Sequence, residues 1–567
     1  MANNRISFGR KAIKVLLVQA LFMFIAEFTF ASSAAVIAGQ FLGDDSLSAI
    51  NLMLPIFNYV CFIAEVIDVG GNILYNRSVG EYNEEHSNEI FGMCMILAIS
   101  LGLMTLAVLT VGRDYYINSL GLSDSIRNEL LAYWKYEKYV LAMMPINYYL
   151  SGLLYTDTRL NTIANVVMFV SGIGTSIVLT IIYGISGTAL GYLLGYVLST
   201  LILSAHFLKK KNIIHFRWYF SFRDVIEMLK LSLVDASKFL DCGLLMTFIN
   251  AYVLKNYTDE LLPVTSILLL VIESIAVFDF VGTALMPVAE VYLGEGNNED
   301  EKDVAQYSLR VALVSGIIAT IFLLVFAPYL PAVFGVTEAA SVARTISALR
   351  IIAFAMPFGS VALALISQYI SVRKIAFSVV YEWSKSFILP LLLILFTGKI
   401  VGYNGIWLGF VLAELLTVIS FALVIKKIYG KNTSLLLVED NNRPTFSRSY
   451  YVSEQTATDA RDDIESFLLE ENVERSIINK VMITVEEMTL FLLSKNNDAK
   501  VIVQYTAYIE DGKVYVYERD NGKAYNLIDT DADLINFNQY ILNCLIGTST
   551  YNRYLVTIDY NRCLLSF

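Results

Sequence analysis

From Lys14 to about Gly430 the chain alternates apolar stretches of roughly 20 to 25 residues with short polar connectors, the length that crosses a hydrocarbon core as helix. About twelve such stretches follow one another, centred near Phe24, Cys61, Ala98, Met143, Met168, Leu194, Gly243, Leu270, Ser315, Phe354, Ile388 and Val411. A buried soluble core accounts for one or two such runs, not for a series. Beyond Arg443 the pattern becomes that of a soluble domain. Helices are predicted at residues 456–470, with Ile464, Phe467 and Leu468 as the apolar stripe, and at 474–493, with Ile477, Val481, Val485 and Met488. Strands are predicted at 500–509 and 513–519, joined by a turn at Glu510, Asp511 and Gly512, with a last hairpin at 554–558 and 563–567. An open sheet with helices on one face is the simplest assembly. The expected fold class is therefore a polytopic α-helical membrane protein with a carboxy-terminal α+β domain.

Composition agrees: 56% hydrophobic and 16% charged residues make the chain too apolar for an ordinary globular protein. The basic start (Arg5, Arg10, Lys11, Lys14) and the later Ala31–Ala34 run have the look of a signal peptide, but the apolar run continues past the small residues and further spans follow. Arg77, Arg159, the Lys209–Lys211 run with Arg217 and Arg223, Arg373, Lys374, Lys426 and Lys427 fall in alternate connectors on the side of the amino terminus. The other side carries mainly Arg113, Lys255 and Lys399, so both termini are expected in the cytoplasm, with the bundle in the plasma membrane. A net charge of -11 argues against a nucleic-acid partner. Cys61, Cys94, Cys242, Cys544 and Cys563 form no CxxC pair, and His86, His206 and His215 are scattered, so neither a disulfide framework nor a zinc site is expected. No phosphate loop or dinucleotide fingerprint occurs.

GISGTALGYLL at residues 184–194 returns as GYNGIWLGFVL at 402–412, with Gly184, Gly187, Leu190, Gly191 and Leu194 each matched at one fixed offset. VGEYNEE after the second span is answered by LGEGNNEDE after the eighth. Isolated glycines that permit tight packing do not predict a fixed offset. The recurrences imply two pseudo-symmetric six-helix lobes, residues 1–208 and 224–430, joined by a basic connector at 209–223, followed by a linker at 431–448 and a domain at 449–567. With six spans per lobe, both lobes enter from one side and a substrate path lies between them.

The stretch from Ala38 to Glu81, with GQFLGDDSLSAINLMLPIF and GGNILYNRSVGE, together with the two lobe ends GISGTALG and YNGIWLGFVLAELL, resembles the multidrug and toxic compound extrusion (MATE) transporters over residues 15–430. The resemblance implies a central cleft for an organic cation and antiport driven by protons or sodium ions. Two departures stand out. The family's first-helix aspartate aligns with Ala34, and its fifth-helix Asn and Asp pair with Ser176 and Thr180. Other acids are available: Glu27, Glu65, Asp68, Asp235, Asp241, Glu273, Asp279, Glu382 and Glu414 fall in or near the spans. A carboxylate at the centre of a lipid-facing helix costs about 2.5–3.5 kcal/mol, so they are expected to line a cavity or pair with a base. Glu65 and Asp68 share a helical face that Asn72 and Asn76 continue, and Asp235, Lys238 and Asp241 form a similar line. The expected coupling-ion or substrate cleft comprises Glu27, Glu65, Asp68, Asn72, Asp235, Glu273 and Asp279; the competing view is that these acids are permanently paired packing residues.

In the last domain the order MITVEEMTLFLL, VYVYERDNGKAYN, YNRCLLSF resembles the histidine-kinase-like ATPases, among them the anti-sigma serine kinases, over residues 449–567. By position Glu487 matches the acid that activates water or the phosphate acceptor, while Asp520 and Gly522 match the adenine loop. The magnesium asparagine is replaced by Phe491, and the glycine-rich phosphate stretch reads INFNQYILN around Asn536 and Asn538. Without that carboxamide and those glycines, hydrolysis is not expected and ATP binding is doubtful. Asp520, Asn521 and Gly522 also suit a plain turn.

The leading expectation is an antiporter that exports an organic cation or amphiphile with protons or sodium as coupling ion, not an enzyme, with a regulatory terminal domain that docks a cytoplasmic protein. The alternatives are a membrane sensor that signals through that domain, and a flippase for lipid-linked saccharides, which needs a basic cleft.

Overall fold

The computed structural model describes residues 7–80, 83–154, 158–209, 212, 214–430, 434–438, 443–496, 500–510, 512–525, 542, 550–555 and 559–567. Its membrane part is a run of helical rods: α1 (Phe8–Leu42), α2 (Asp44–Val79), α3 (Glu84–Val111), α4 (Asp124–Leu153), α5 (Arg159–Tyr183), α6 (Ile185–Leu208), α7 (Phe222–Asn256), α8 (Asp259–Gly294), α9 (Asn298–Phe326), α10 (Ala339–Ser371), α11 (Ile375–Val401) and α12 (Tyr403–Ile428). Ten are long and apolar enough to cross a membrane. The other two, α4 and α7, have 30 and 35 residues but carry more charged side chains.

Both internal echoes mark equivalent joints. Gly184 and Gly402, at φ 62° and 77°, turn α5 into α6 and α11 into α12. That positive φ, combined with ψ of -151° and -147°, is open almost only to glycine and costs a side-chain-bearing residue about 1–3 kcal/mol. Each turn is closed alike, the amide of Gly187 donating to Gly184 O at 2.9 Å and that of Gly405 to Gly402 O at 2.8 Å. The second echo supplies matching helix starts: Asn83 accepts from the His86 amide ahead of α3, and Asn297 from the Asp300 amide ahead of α9.

Not every rod is a plain α-helix. Val66–Gly70 of α2 and Ser384–Ile388 of α11 are π-helical turns, and Ser274–Phe278 of α8 is a 3-10 segment. A π turn inserts one residue and is common where a helix must aim a functional side chain.

The terminal domain is a five-stranded antiparallel sheet of order β1-β2-β3-β5-β4, built from β1 (Thr445–Tyr451), β2 (Ile502–Glu510), β3 (Lys513–Asp520), β4 (Thr550–Leu555) and β5 (Asp559–Ser566). Helices α13 (Glu454–Glu470) and α14 (Arg475–Lys495) cover one face. Ser453 opens α13 in a capping box with Thr456. Tyr450, Val503, Tyr505, Val516 and Leu565 pack beneath Ile464, Val481 and Met488.

One expectation is corrected here. The linker expected at 431–448 gives way to β1 at Thr445; Thr445 and Ser447 are polar and read as linker. The sheet face opposite the helices is covered as well. The in-register row Ser449, Gln504, Arg519, Arg562 crosses the sheet on that face and meets the membrane part. Ser449 Oγ accepts the Phe8 amide at 3.1 Å, and Gln504 Oε1 accepts from the Tyr292 hydroxyl at 3.0 Å. Arg519 Nη2 and Arg562 Nη2 both reach Glu295 Oε1, at 2.5 and 2.8 Å, in the loop between α8 and α9. Arg443 donates to the Glu295 carbonyl at 2.6 Å, and Gln504 Nε2 to Asp300 at 2.7 Å. The start of α1 is tied to the same corner by the Arg10–Asp303 ion pair.

Candidate functional site

Between the first six rods and the last six lies a cavity of about 1120 Å³. Away from the chain termini the halves close on each other: Asn51 donates to Asn250 at 3.0 Å, Tyr59 and Thr247 share a hydrogen bond of 2.7 Å, and Gln40 donates to the Val333 carbonyl at 2.8 Å. Toward the termini the lining reaches Thr162 and Asn165 near the start of α5 and Ser367 and Ile370 at the end of α10.

Glu27 of α1, Glu65 and Asp68 of α2, Asp235 of α7, and Glu273 and Asp279 of α8 all line this one cavity. Asn72 does not. Its Nδ2 donates to Asp68 Oδ1 at 2.6 Å from behind the wall, which orients the carboxylate. Gly152 of α4 leaves room for that pair, since a Cβ there would lie 1.8 Å from the same oxygen. The π turn of α2 carries Asp68, so the simple three-residue spacing to Glu65 is not what brings both acids to the cavity.

The cleft is mixed in charge rather than purely acidic. Lys238 Nζ lies 3.0 Å from Asp279 and 3.5 Å from Asp235. Asp241, expected on the Lys238 line, is buried and is not among the lining residues. Sequence reasoning missed Lys385 and Glu137 and left Glu382 and Glu414 outside its cleft. Lys385, on the π turn of α11, sits 3.4 Å from Glu414, and the Ser386 hydroxyl donates to Glu382 at 2.7 Å. A lysine and two acids inside an apolar stretch, each costly in lipid, were the available signal. Glu137 lies between Lys135 and Lys138 toward the edge of the span centred near Met143 and was not singled out. Among the described residues, nine carboxylates and two lysines line the cavity. Glu382 Oε2 and Glu414 Oε2 are buried with no hydrogen-bond partner among those residues, leaving acceptor capacity for a bound cation or proton.

The departures also find their places. Ala34 lines the cavity as a small apolar patch. Ser176 and Thr180 are buried between α5 and α6, bonding Thr188 at 2.9 and 2.7 Å, and are not among the lining residues.

In the terminal domain Asp520 and Gly522 form a local turn, the Gly522 amide donating to Asp520 Oδ1 at 2.6 Å. Asn561 donates to the same oxygen at 3.0 Å, and the Tyr525 hydroxyl lies 2.9 Å from Glu518 and 3.0 Å from Asp520. One hydroxyl proton cannot serve both carboxylates, and burial raises the pKa of each from its ordinary value, that of Glu518 well above it. Phe491 is fully buried with its ring edge-on to Tyr525, 5.2 Å between centroids, so an apolar group fills the position of the expected magnesium ligand. Glu487 is half-buried on α14. The INFNQYILN stretch with Asn536 and Asn538 lies outside the described residues.

No curated protein sequence matches the chain. Among solved structures it is similar to the inward-facing conformation of a multidrug resistance MATE family transporter of the MOP superfamily, with TM-score 0.63 and 20% identity over 72% of this chain and 96% of that one. It also matches a MOP superfamily transporter from Pyrococcus furiosus Vc1, described as having a binding pocket of reverse polarity that suggests a different function (TM-score 0.60, 20% identity, 76% and 98% covered). A third match is an outward-facing MATE family transporter (TM-score 0.60, 19% identity, 75% and 97% covered). At these identities the likeness establishes the fold. The model of the MatE family matches residues 20–183 and 242–394, more than half of the chain. The multi-pass bundle with its cavity between two halves is accordingly that of a transporter, and the chain belongs to the MatE family.

Proposed function

We propose that this chain is a secondary active efflux transporter, an antiporter exchanging an organic cation or amphiphile, drugs included, for protons or sodium ions. The observation that carries the reading is the large cavity with nine carboxylates against two lysines. An excess of acid in an apolar enclosure favours a cation, and one bound cation can displace another or a proton from the same oxygens. Asp68, oriented by Asn72, is the carboxylate on which we place the exchange, with Glu65, Glu273 and Asp279 around it. Two of the related structures are described as multidrug resistance transporters, which supports the substrate class. In this reading all twelve rods span the plasma membrane, residues 1–208 and 224–430 act as two lobes, and both termini are cytoplasmic. The domain at 449–567 regulates without hydrolysing nucleotide.

The test is uptake of a fluorescent organic cation into inverted vesicles under an imposed proton gradient and then a sodium gradient. Flux that collapses with one gradient, and is lost in Asp68→Asn, is expected. Unchanged flux and pH dependence in Asp68→Asn would sink the role of that residue, and no flux under either gradient from folded protein would sink the transporter. The sensor reading then takes over, favoured by one observation: the terminal domain is seated on α1 and on the loop between α8 and α9.

A further inference from the structure

The connector between the two halves is built unlike the other joints. From Ile214 to Ser221 it runs without helix or strand, and its side chains alternate. In an extended chain residues two apart share a face. On one face stand Phe216, Trp218, Phe220 and, where α7 begins, Phe222, all exposed, Trp218 by 84% and Phe222 by 71%. The other face is fastened to the first half. Arg217 pairs with Glu85, the His215 amide donates to Asn88 at 2.6 Å, and the Tyr219 ring meets His86 edge-on at 6.0 Å. A fastened inner face makes the outer row of rings a fixed surface rather than a loose end.

Two further observations say what covers that surface. It is continuous with exposed apolar side chains of α7, namely Ile226, Leu229 and Leu233, on a rod of membrane-spanning length. It is also the basic part of an acidic protein: residues 209–230 hold Lys209, Lys210, Lys211, Arg217, Arg223 and Lys230 against Asp224 and Glu227. Arg223 and Lys230 are exposed on the first turns of α7, which Phe222 opens, while both acids are engaged, Asp224 by Tyr219 and Glu227 by Arg77. Aromatic rings at headgroup level and cations within reach of phosphate are the chemistry of an anionic membrane surface. We propose that the connector and the first turns of α7 are an interfacial strap that selectively holds anionic phospholipid of the leaflet on the terminus side. Trp218 and its neighbouring rings lie among the glycerol and upper acyl groups, and Arg223 and Lys230 bind the phosphodiester. Because the strap joins the two halves, the held lipid sits where any motion of one half against the other must pass.

Trp218 reports on its own surroundings. The full chain is reconstituted in vesicles of phosphatidylcholine and phosphatidylglycerol, with bromine on the acyl chains of one lipid or the other, and the emission lost in Trp218→Phe is taken as the signal. Quenching by brominated phosphatidylglycerol is expected to exceed that by brominated phosphatidylcholine, with a relative affinity of roughly fivefold per basic side chain. In the double variant Arg223→Gln, Lys230→Gln the preference falls toward parity while quenching itself persists. Equal quenching by both lipids in the natural chain overturns the selectivity. No quenching at Trp218 by either lipid means that protein, such as a second copy, covers the rings, and overturns the strap. A preference abolished by 10 mM inorganic phosphate at constant ionic strength assigns the basic pair to soluble anion, which also overturns it.

Discussion

Replacing Glu295 by glutamine tests whether the terminal domain is held by charge. In the native arrangement one carboxylate oxygen serves both Arg519 and Arg562, whose side chains are 7% and 20% exposed. Removing one partner of a buried ion pair costs about 3–5 kcal/mol, because the remaining charge stays out of water. Here the two arginines keep some support. Arg519 also reaches Gln504 Oε1 at 3.2 Å and lies 4.9 Å from the centre of the Tyr292 ring. The domain has, besides, an escape that a core does not have. It can leave the corner and return both guanidinium groups to solvent, which caps the loss at the free energy of docking. The low end, about 3 kcal/mol, therefore applies, and the undocked fraction rises by about a hundredfold. The Phe8 amide, which donates to Ser449 Oγ across the same contact, supplies the readout, since its hydrogen exchange is freed once the domain lifts away. Exchange follows the open population when reclosing is fast. Exchange at Phe8 should accelerate by up to two orders of magnitude in Glu295→Gln, with the domain's own melting unchanged. A rate within threefold of the natural chain would refute the argument.

Lys385→Gln leaves Glu414 without its base and should destabilise the bundle by about 3–5 kcal/mol, while the double variant Lys385→Gln, Glu414→Gln recovers most of that in a thermal-unfolding assay in detergent. Gly402→Ala forces alanine into a positive-φ backbone open almost only to glycine and should cost about 1–3 kcal/mol by the same assay, with Gly184→Ala matching it. For Glu518 burial raises the folded pKa above the unfolded value, so the folded state holds the proton longer. Its stabilising contribution is complete below the ordinary carboxylate range and fades as pH rises through the raised pKa. Terminal-domain stability should therefore fall as pH rises above the ordinary carboxylate range, and Glu518→Gln should flatten that slope.

The spans of the membrane part were legible because length and apolarity alone determine what crosses a bilayer, and the glycine echo at 184 and 402 betrayed equivalent joints because only glycine takes those φ angles cheaply. The cavity acids were legible for the same energetic reason. What escaped was partnership. Lys385 and Glu414 stand far apart in sequence, and only the fold of α11 against α12 brings them together. The docking of the polar row Ser449, Gln504, Arg519, Arg562 was not legible, since a face that docks through hydrogen bonds and ion pairs has the composition of one that meets water. The π turns were invisible because an inserted residue leaves an apolar run apolar.

That insertion bears on how relatives of this chain are compared. Each residue in an α-helix advances the face by about 100°, so a rod without the extra residue at Val66–Gly70 would present a neighbour of Asp68 to the cavity instead. Alignments that run straight through α2 and α11 then set cavity positions against lipid-facing ones, and a carboxylate is scored as lost where it has moved by one place. A single-residue gap at each π turn restores the correspondence, and the same shift warns that deleting one residue there changes which side chain of the rod meets the cavity.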